Sequence, residues 1–342
     1  MYHFRNDYSV GCHPEVLEAL ISANGECVTG YGFDPYCEEA AGLIRELCHA
    51  PKAEVQFLVG GTQTNFTAIA AFLRPWESVI APAAGHINTH EVGAVEATGH
   101  KILPVYTRAS GKLTSNDVLS IVEECEDEHL TKPRLVYISN STETGGIYTK
   151  AELIDLAITC RRNGLFLFLD GARLGCALMA KGSDLTPADL AEWCDAFYIG
   201  GTKNGAMMGE ALVICNPELQ KDFFRIKKQM GAVLAKGWLL GIQFTALLKD
   251  GLYFKIAKQA NEVAQYLQGG LKNLGIPMMV DSPTNQIFPI FPDELLPELE
   301  KVVTFETWGK ADKTHTVIRF VTSFATTLAD ANGLLNEIKN LT

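Results

Sequence analysis

Two short apolar runs, LFLFL at 165–169 and AFYIG at 196–200, constrain this chain more than any other feature in it. Each is followed by a charged group: Asp170 directly after the first, Lys203 three residues beyond the second. Runs this short, unbroken in hydrophobicity and rich in aromatics, are what strands of a parallel sheet look like when both faces are covered. Asp170 and Lys203 then fall at the carboxyl ends of neighbouring strands, where open α/β sheets gather their ligands.

Other segments lead to the same edge. Residues 55–59 read as a strand, Gly60-Gly61-Thr62 as a tight turn, and 63–73 as a helix with apolar spacing at Phe66, Ile69, Ala70 and Leu73. Free N–H groups at a helix start, with the helix dipole behind them, favour a phosphate. The turn is neither a Walker loop nor a Rossmann fingerprint, since no Gly-Lys-Ser/Thr follows and G-x-G-x-x-G is absent. His86 and His90 stand four apart, a spacing that can ligate a metal, but there is no second ligand cluster and no H-E-x-x-H order, so no metal site is expected. At the start of its helix, beside the crevice, His86 suits stacking on a flat ring. A polar loop at 140–146 places Glu143 at a third strand end.

Taken singly, Asp170 can be a helix cap, Lys203 a solvated loop lysine and the glycines a matter of geometry. Taken together they point to pyridoxal 5′-phosphate, which a lysine holds as a Schiff base while a carboxylate keeps its pyridine nitrogen protonated.

Strands and helices alternate along most of the chain, as an α/β sheet demands. After an extended arm, a helix opens at Pro14; a glycine and proline turn with two tyrosines, Tyr31 to Tyr36, precedes a helix over 38–48. Further strands are expected at 78–81, 101–105, 134–139 and 211–215, with helices at 87–98, 114–128, 150–163, 217–230, 237–249 and 252–274. The alternation then stops: strands at 276–280, 286–290 and 316–322 with helices at 294–302 and 327–341 make a small α+β unit.

With 342 residues the chain can bury a large core. Forty acidic against twenty-nine basic residues give a net charge of −11, a poor surface for nucleic acid or anionic membrane. No apolar run approaches membrane-spanning length and the first residues lack signal-peptide character, so a soluble, cytoplasmic protein is expected. Nine cysteines without a C-x-x-C pair read as reduced thiols.

With the DGARL segment, the lysine on the following strand, GGTQTN and HINTHEVGA in hand, the chain resembles the threonine aldolase and β-eliminating lyase group of fold type I pyridoxal phosphate enzymes. The resemblance implies an arm (1–14), a large cofactor domain (15–248) with a mainly parallel seven-stranded sheet, and a small C-terminal α+β domain (249–342). It implies that Lys203 is the Schiff-base lysine, Asp170 the partner of the pyridine nitrogen and His86 the residue stacked on the ring. Gly61, Thr62 and Thr202 fall to the phosphate. Arg173 and Arg319 fall to the substrate carboxylate, which an arginine fork can hold by two parallel hydrogen bonds. Asn6 takes the place of the family's serine in its RSD segment, and Tyr31 with Asp34 matches a tyrosine and acid turn. A homotetramer or dimer of dimers is implied, with Tyr31 and His90 at a subunit boundary. Two departures stand out: Glu143 where many members carry a histidine, and V-L-A-K-G where members carry an arginine that reaches a neighbour's phosphate, with Lys236 as a substitute.

The implied reaction is retro-aldol cleavage of β-hydroxy-α-amino acids, such as L-threonine or L-allo-threonine, to glycine and an aldehyde. Glu143, His86 or a bound water can take the β-hydroxyl proton. Other readings are β-elimination or another pyridoxal phosphate reaction of amino acids, and, remotely, a non-catalytic pyridoxal phosphate-binding protein.

Overall fold

The computed structural model describes residues 1–341. Its strands are β1 Tyr2–His3, β2 Glu54–Leu58, β3 Glu77–Pro82, β4 Ile102–Val105, β5 Lys132–Ser139, β6 Phe166–Asp170, β7 Ala196–Gly200 and β8 Glu210–Ile214, then β9 Gln286–Ile287, β10 Ile290–Pro292, β11 Val303–Thr304, β12 Glu306–Lys310 and β13 His315–Val321. Seven of them form one sheet in the order β2-β8-β7-β6-β5-β3-β4. Strands β4, β3, β5, β6 and β7 run parallel, and β8 runs antiparallel to both β7 and β2. This is the expected mainly parallel α/β sheet.

The two apolar runs account for its centre. Every residue of β6 and β7 is buried. Alternation sends Leu167, Leu169, Phe197 and Ile199 into the core on one face and Phe166, Phe168 and Tyr198 into the core on the other. Each fully buried aliphatic or aromatic side chain contributes roughly 1.5–3 kcal/mol, so continuous apolar runs are what a two-sided sheet selects.

A second core gathers Val263, Leu267, Phe291, Ile318, Phe320 and Leu334 around β10, β13 and β12, with β9 paired to the far end of β13. The arm belongs to this unit. Strand β1 pairs parallel with β11, and Phe4 is fully buried in the second core.

Several elements depart from expectation. The helix over 87–98 is only His86–Thr89 followed by a 3₁₀ turn at Glu96–Thr98, because Val92 and Gly93 take positive φ values of 53° and 71°. The basic helix over 217–230 is two helices, Pro217–Gln220 and Phe223–Gln229, broken where Asp222 takes a φ of 58°. The strand over 276–280 is a single bridge between Met278 and Pro289. Helix Pro187–Trp193 went unanticipated, although Thr186 and Asp189 form a capping box at its start.

Candidate active site

The β7–β8 hairpin builds the centre. After Gly200 the chain loops back with the Gly201 and Thr202 N–H groups donating to the Gly209 carbonyl at 3.0 and 3.1 Å, while the Gly209 N–H donates to Thr202 Oγ1 at 3.0 Å. Only glycine fits at Gly201, because a Cβ there would sit 2.6 Å from that same carbonyl oxygen. Lys203, carried on this loop, lines a cavity of about 300 Å³ together with Gly61, Thr62, His86, Glu143, Asp170, Arg173 and Thr202. A second cavity of about 340 Å³ shares His86, Glu143, Arg173 and Lys203 with the first and adds His90, Trp308 and Arg319. The structure therefore brings Lys203 and Asp170 to one space, and Arg319 to an adjoining one.

Asp170 closes β6 and is buried. Tyr137 donates its phenol to Oδ2 at 2.5 Å, Tyr198 donates to Oδ1, Asn65 donates to Oδ2 at 3.0 Å and the Ala172 N–H donates to Oδ1 at 2.9 Å. Burial works against its charge, but the two phenols, the Ala172 N–H and nearby His86 outweigh that and hold the carboxyl below its ordinary range. Burial, and then the Arg173 guanidinium, push the Lys203 amine below the usual lysine range, against the pull of Asp7, Glu143 and Asp170. His86 Nδ1 lies 2.8 Å from Glu91 Oε1, which also accepts from Asn65 at 2.8 Å. Burial alone would lower the His86 pKa; the bond to Glu91 and the charges of Glu143 and Asp170 raise it instead.

Gly60 caps the twelve-residue helix Gly61–Phe72 with no side-chain bond to its N-terminus, so backbone N–H groups open onto the cavity. A Cβ on Gly61 would lie 3.2 Å from the Tyr198 phenol.

Two predicted residues are not brought to these cavities within one chain. Asn6 caps a turn, accepting from the Tyr8 N–H at 3.0 Å and from Ser9 Oγ at 2.7 Å, and lines a separate cleft with Tyr2 and Ser323. Its neighbours take the inward positions: Asp7 pairs with Arg173, and Tyr8 lines both cavities. Tyr31, with a φ of 64°, is half exposed beneath Lys228, whose Nζ lies 4.6 Å from the ring centroid. Lys236 adjoins it through Ala235, whose carbonyl accepts the Tyr31 N–H at 3.0 Å.

Sequence reasoning missed Asp7, Tyr8, Asn65, Glu91, Tyr137, Tyr198 and Glu210. For the two tyrosines a signal existed, since period-two alternation puts Tyr137 and Tyr198 on the same sheet face as Asp170.

Arg319, on β13, donates to Gln286 Oε1 at 3.1 Å and pairs with Glu306, with its guanidinium carbon 5.2 Å from the Trp308 ring centroid; its Nε has no partner among the described residues.

These residues fit pyridoxal 5′-phosphate. The depressed amine, the ionised carboxylate and the uncapped helix N-terminus suit its aldehyde, ring nitrogen and phosphate, and the buried Ser139 and Ser141 hydroxyls lining the cavity have no partner among the described residues.

Comparison with known proteins agrees. The chain is 34% identical over 291 residues to a low specificity L-threonine aldolase of a Pseudomonas species, covering 83% of each. It superimposes on a threonine aldolase of Leishmania major with a TM-score of 0.98 at 46% identity, covering 100% of this chain and 99% of that one. An aspartate aminotransferase of Thermus thermophilus shares the fold, with a TM-score of 0.75 at 16% identity over 100% of this chain and 92% of that one. Pyridoxal phosphate is the cofactor of this group. The model of one family covers residues 4–330, and on that match the chain belongs to the beta-eliminating lyase family.

Proposed function

We propose that this protein is an aldolase that cleaves β-hydroxy-α-amino acids, L-threonine or L-allo-threonine among them, to glycine and an aldehyde. The observation that carries this reading is the continuity of the two cavities: Lys203, His86, Glu143 and Arg173 line both, so a substrate carboxylate at Arg319 and an α-amine at Lys203 fit one molecule. The likeness to threonine aldolases in sequence and structure supports the substrate class.

When bound, pyridoxal phosphate supplies an electron sink for the pair left by Cα–Cβ cleavage. Asp170, kept ionised by its phenols, would hold a proton on the ring nitrogen. Lys203, its proton affinity lowered by burial, would offer Nζ to the aldehyde. The Gly61 and Thr62 end of the helix would hold the phosphate, with Thr202 on the same cavity. His86, fixed through Nδ1 by Glu91, would offer its imidazole for stacking on the ring. Arg319 exchanges its Gln286 and Glu306 contacts for the substrate carboxylate, and Arg173, steadied by Asp7, flanks it. The β-hydroxyl proton passes to Glu143, to His86 or to a bound water, help typically worth about 10²–10⁴-fold. Asn6 and Tyr31 stay outside this account within one chain; a homo-oligomer, tetramer or dimer of dimers, would bring Tyr31 of one copy toward another's site. A cytoplasmic location and a boundary near residue 248 between a large and a small domain complete the proposal.

Product analysis with L-threonine, L-allo-threonine and L-serine in the presence of pyridoxal phosphate tests it. Glycine and acetaldehyde from the first two support the aldolase; pyruvate or 2-oxobutyrate with ammonia would make it an eliminating lyase; no turnover of any of them would leave a binding protein.

A further inference from the structure

The two arginines of the site are held differently. On Arg173, Asp7 fills a complete fork, one oxygen on Nε and the other on Nη2. Arg319 has the same edge half filled: Glu306 pairs with Nη2, while the buried Nε has no partner among the described residues. Gln286, itself fully buried, takes Nη1 at 3.1 Å, and the guanidinium carbon lies over the Trp308 ring, 5.2 Å from its centroid. Glu306 stands directly opposite Arg319 in the β12–β13 ladder, and the register slips between Thr307 and Gly309, leaving Trp308 as the extra residue. Such a bulge re-aims a side chain, here onto the arginine that Glu306 already holds. Glu306, Trp308 and Arg319 all line the second cavity.

A guanidinium presents two forks to a carboxylate, Nε with Nη2 and Nη1 with Nη2. Nη2 belongs to both, so any carboxylate that Arg319 holds by two parallel bonds must first displace Glu306. We infer that Glu306 is a built-in placeholder for the substrate carboxylate: it keeps Arg319 paired when no substrate is bound, and an amino acid binds by driving it off Nη2 and taking the unpartnered Nε beside it. The exchange conserves charge, one carboxylate leaving as another arrives. Glu306 is free to make it, because its side chain is 46% exposed and turns into water. Gln286 and Trp308 stay in place and keep the plane of the guanidinium. The pairing also answers a local need. Burial, and then the Arg173 guanidinium, weigh against the charge of Arg319, and Glu306 leads the anions that favour it, ahead of Asp7 and Glu143. Asp7 is already committed to Arg173.

The inference rests on Arg319 as the carboxylate site of the proposed reaction, and its test separates the two. Wild type, Glu306→Gln, Glu306→Ala and Arg319→Ala are loaded with pyridoxal phosphate. KM and kcat are measured for L-threonine, and the dissociation constant of glycine is read without turnover from the change it makes in the visible band of the bound cofactor. In Glu306→Gln both KM and the glycine constant should fall about fivefold, about 1 kcal/mol, the upper end for a partly exposed ion pair, with a smaller change in kcat. Loss of a contact that merely supports Arg319 moves both constants the other way, so the sign of the change decides. Constants that stay level or rise in Glu306→Gln, beside a raised KM in Arg319→Ala, overturn the placeholder and leave Arg319 at the carboxylate. Constants that stay level in Arg319→Ala remove the carboxylate site and this inference with it. If Glu306→Gln does not fold, Glu306→Ala is read by the same rule.

Discussion

Asp7 closes a two-pronged ion pair on Arg173, 166 residues further along the chain, with Nε at 2.7 Å and Nη2 at 3.0 Å from its two oxygens. Both side chains are buried, and Asn285 Nδ2 donates to Asp7 at 2.9 Å. Removing one member strands the other, which typically costs about 3–5 kcal/mol. Asp7→Ala should lower stability by that amount in denaturant unfolding and raise KM for amino acids as Arg173 loses its orientation. A loss under about 1 kcal/mol would show that Arg173 finds another partner.

Asp170 makes stability depend on acid in a stated direction. Its folded pKa lies below the ordinary value of 3.8, so its contribution is complete above that value and is lost as the pH falls through the folded pKa. Tyr137→Phe removes one of the two phenols and should move the acid limb of a Tm-against-pH curve upward. Coincident limbs would mean that Tyr198 and the Ala172 N–H suffice.

Lys203→Ala should abolish the visible band of bound pyridoxal phosphate and cut kcat by more than about 10⁴-fold. A variant that keeps both would remove Lys203 from the chemistry.

Arg319→Ala should raise KM for L-threonine about 10–100-fold, the range expected for one charged hydrogen-bonding partner, with a smaller effect on kcat. Steady-state kinetics with amino acids of differing side chain decide it: an equal loss in kcat and none in KM would place Arg319 elsewhere.

His86 is held protonated to a higher pH than usual by Glu91. Glu91→Gln should lower the His86 titration midpoint by about one unit, read by NMR of the imidazole protons. Stability contributed by the charged pair is full below the unfolded pKa of 6.5 and fades as pH rises through the folded one, so the variant should lose most below pH 6.5 and progressively less as the pH climbs past the folded value.

The sheet and its cofactor edge were legible because their signals are local. Apolar runs ending in Asp170 and near Lys203, and glycines ahead of a helix, carry their meaning within a few residues. What stayed hidden depends on distance along the chain. Asp7 matters through Arg173 and Asn285, Asn65 through Glu91 and Asp170, and Glu210 through the hairpin that turns it back on the Gly201 N–H. The broken helices failed for another reason: Val92 and Asp222 adopt left-handed backbone that tertiary packing imposes and propensity opposes.

The pairing of β1 with β11 sets an order of events during synthesis. Residues 2–3 must wait for residues 303–304 to emerge before they find their ladder, so the arm settles late although it is made about 300 residues before its partner. Until it does, Asp7 lacks Asn285, its other side-chain partner beside Arg173, and a nascent chain with a finished seven-stranded sheet still lacks a finished pocket.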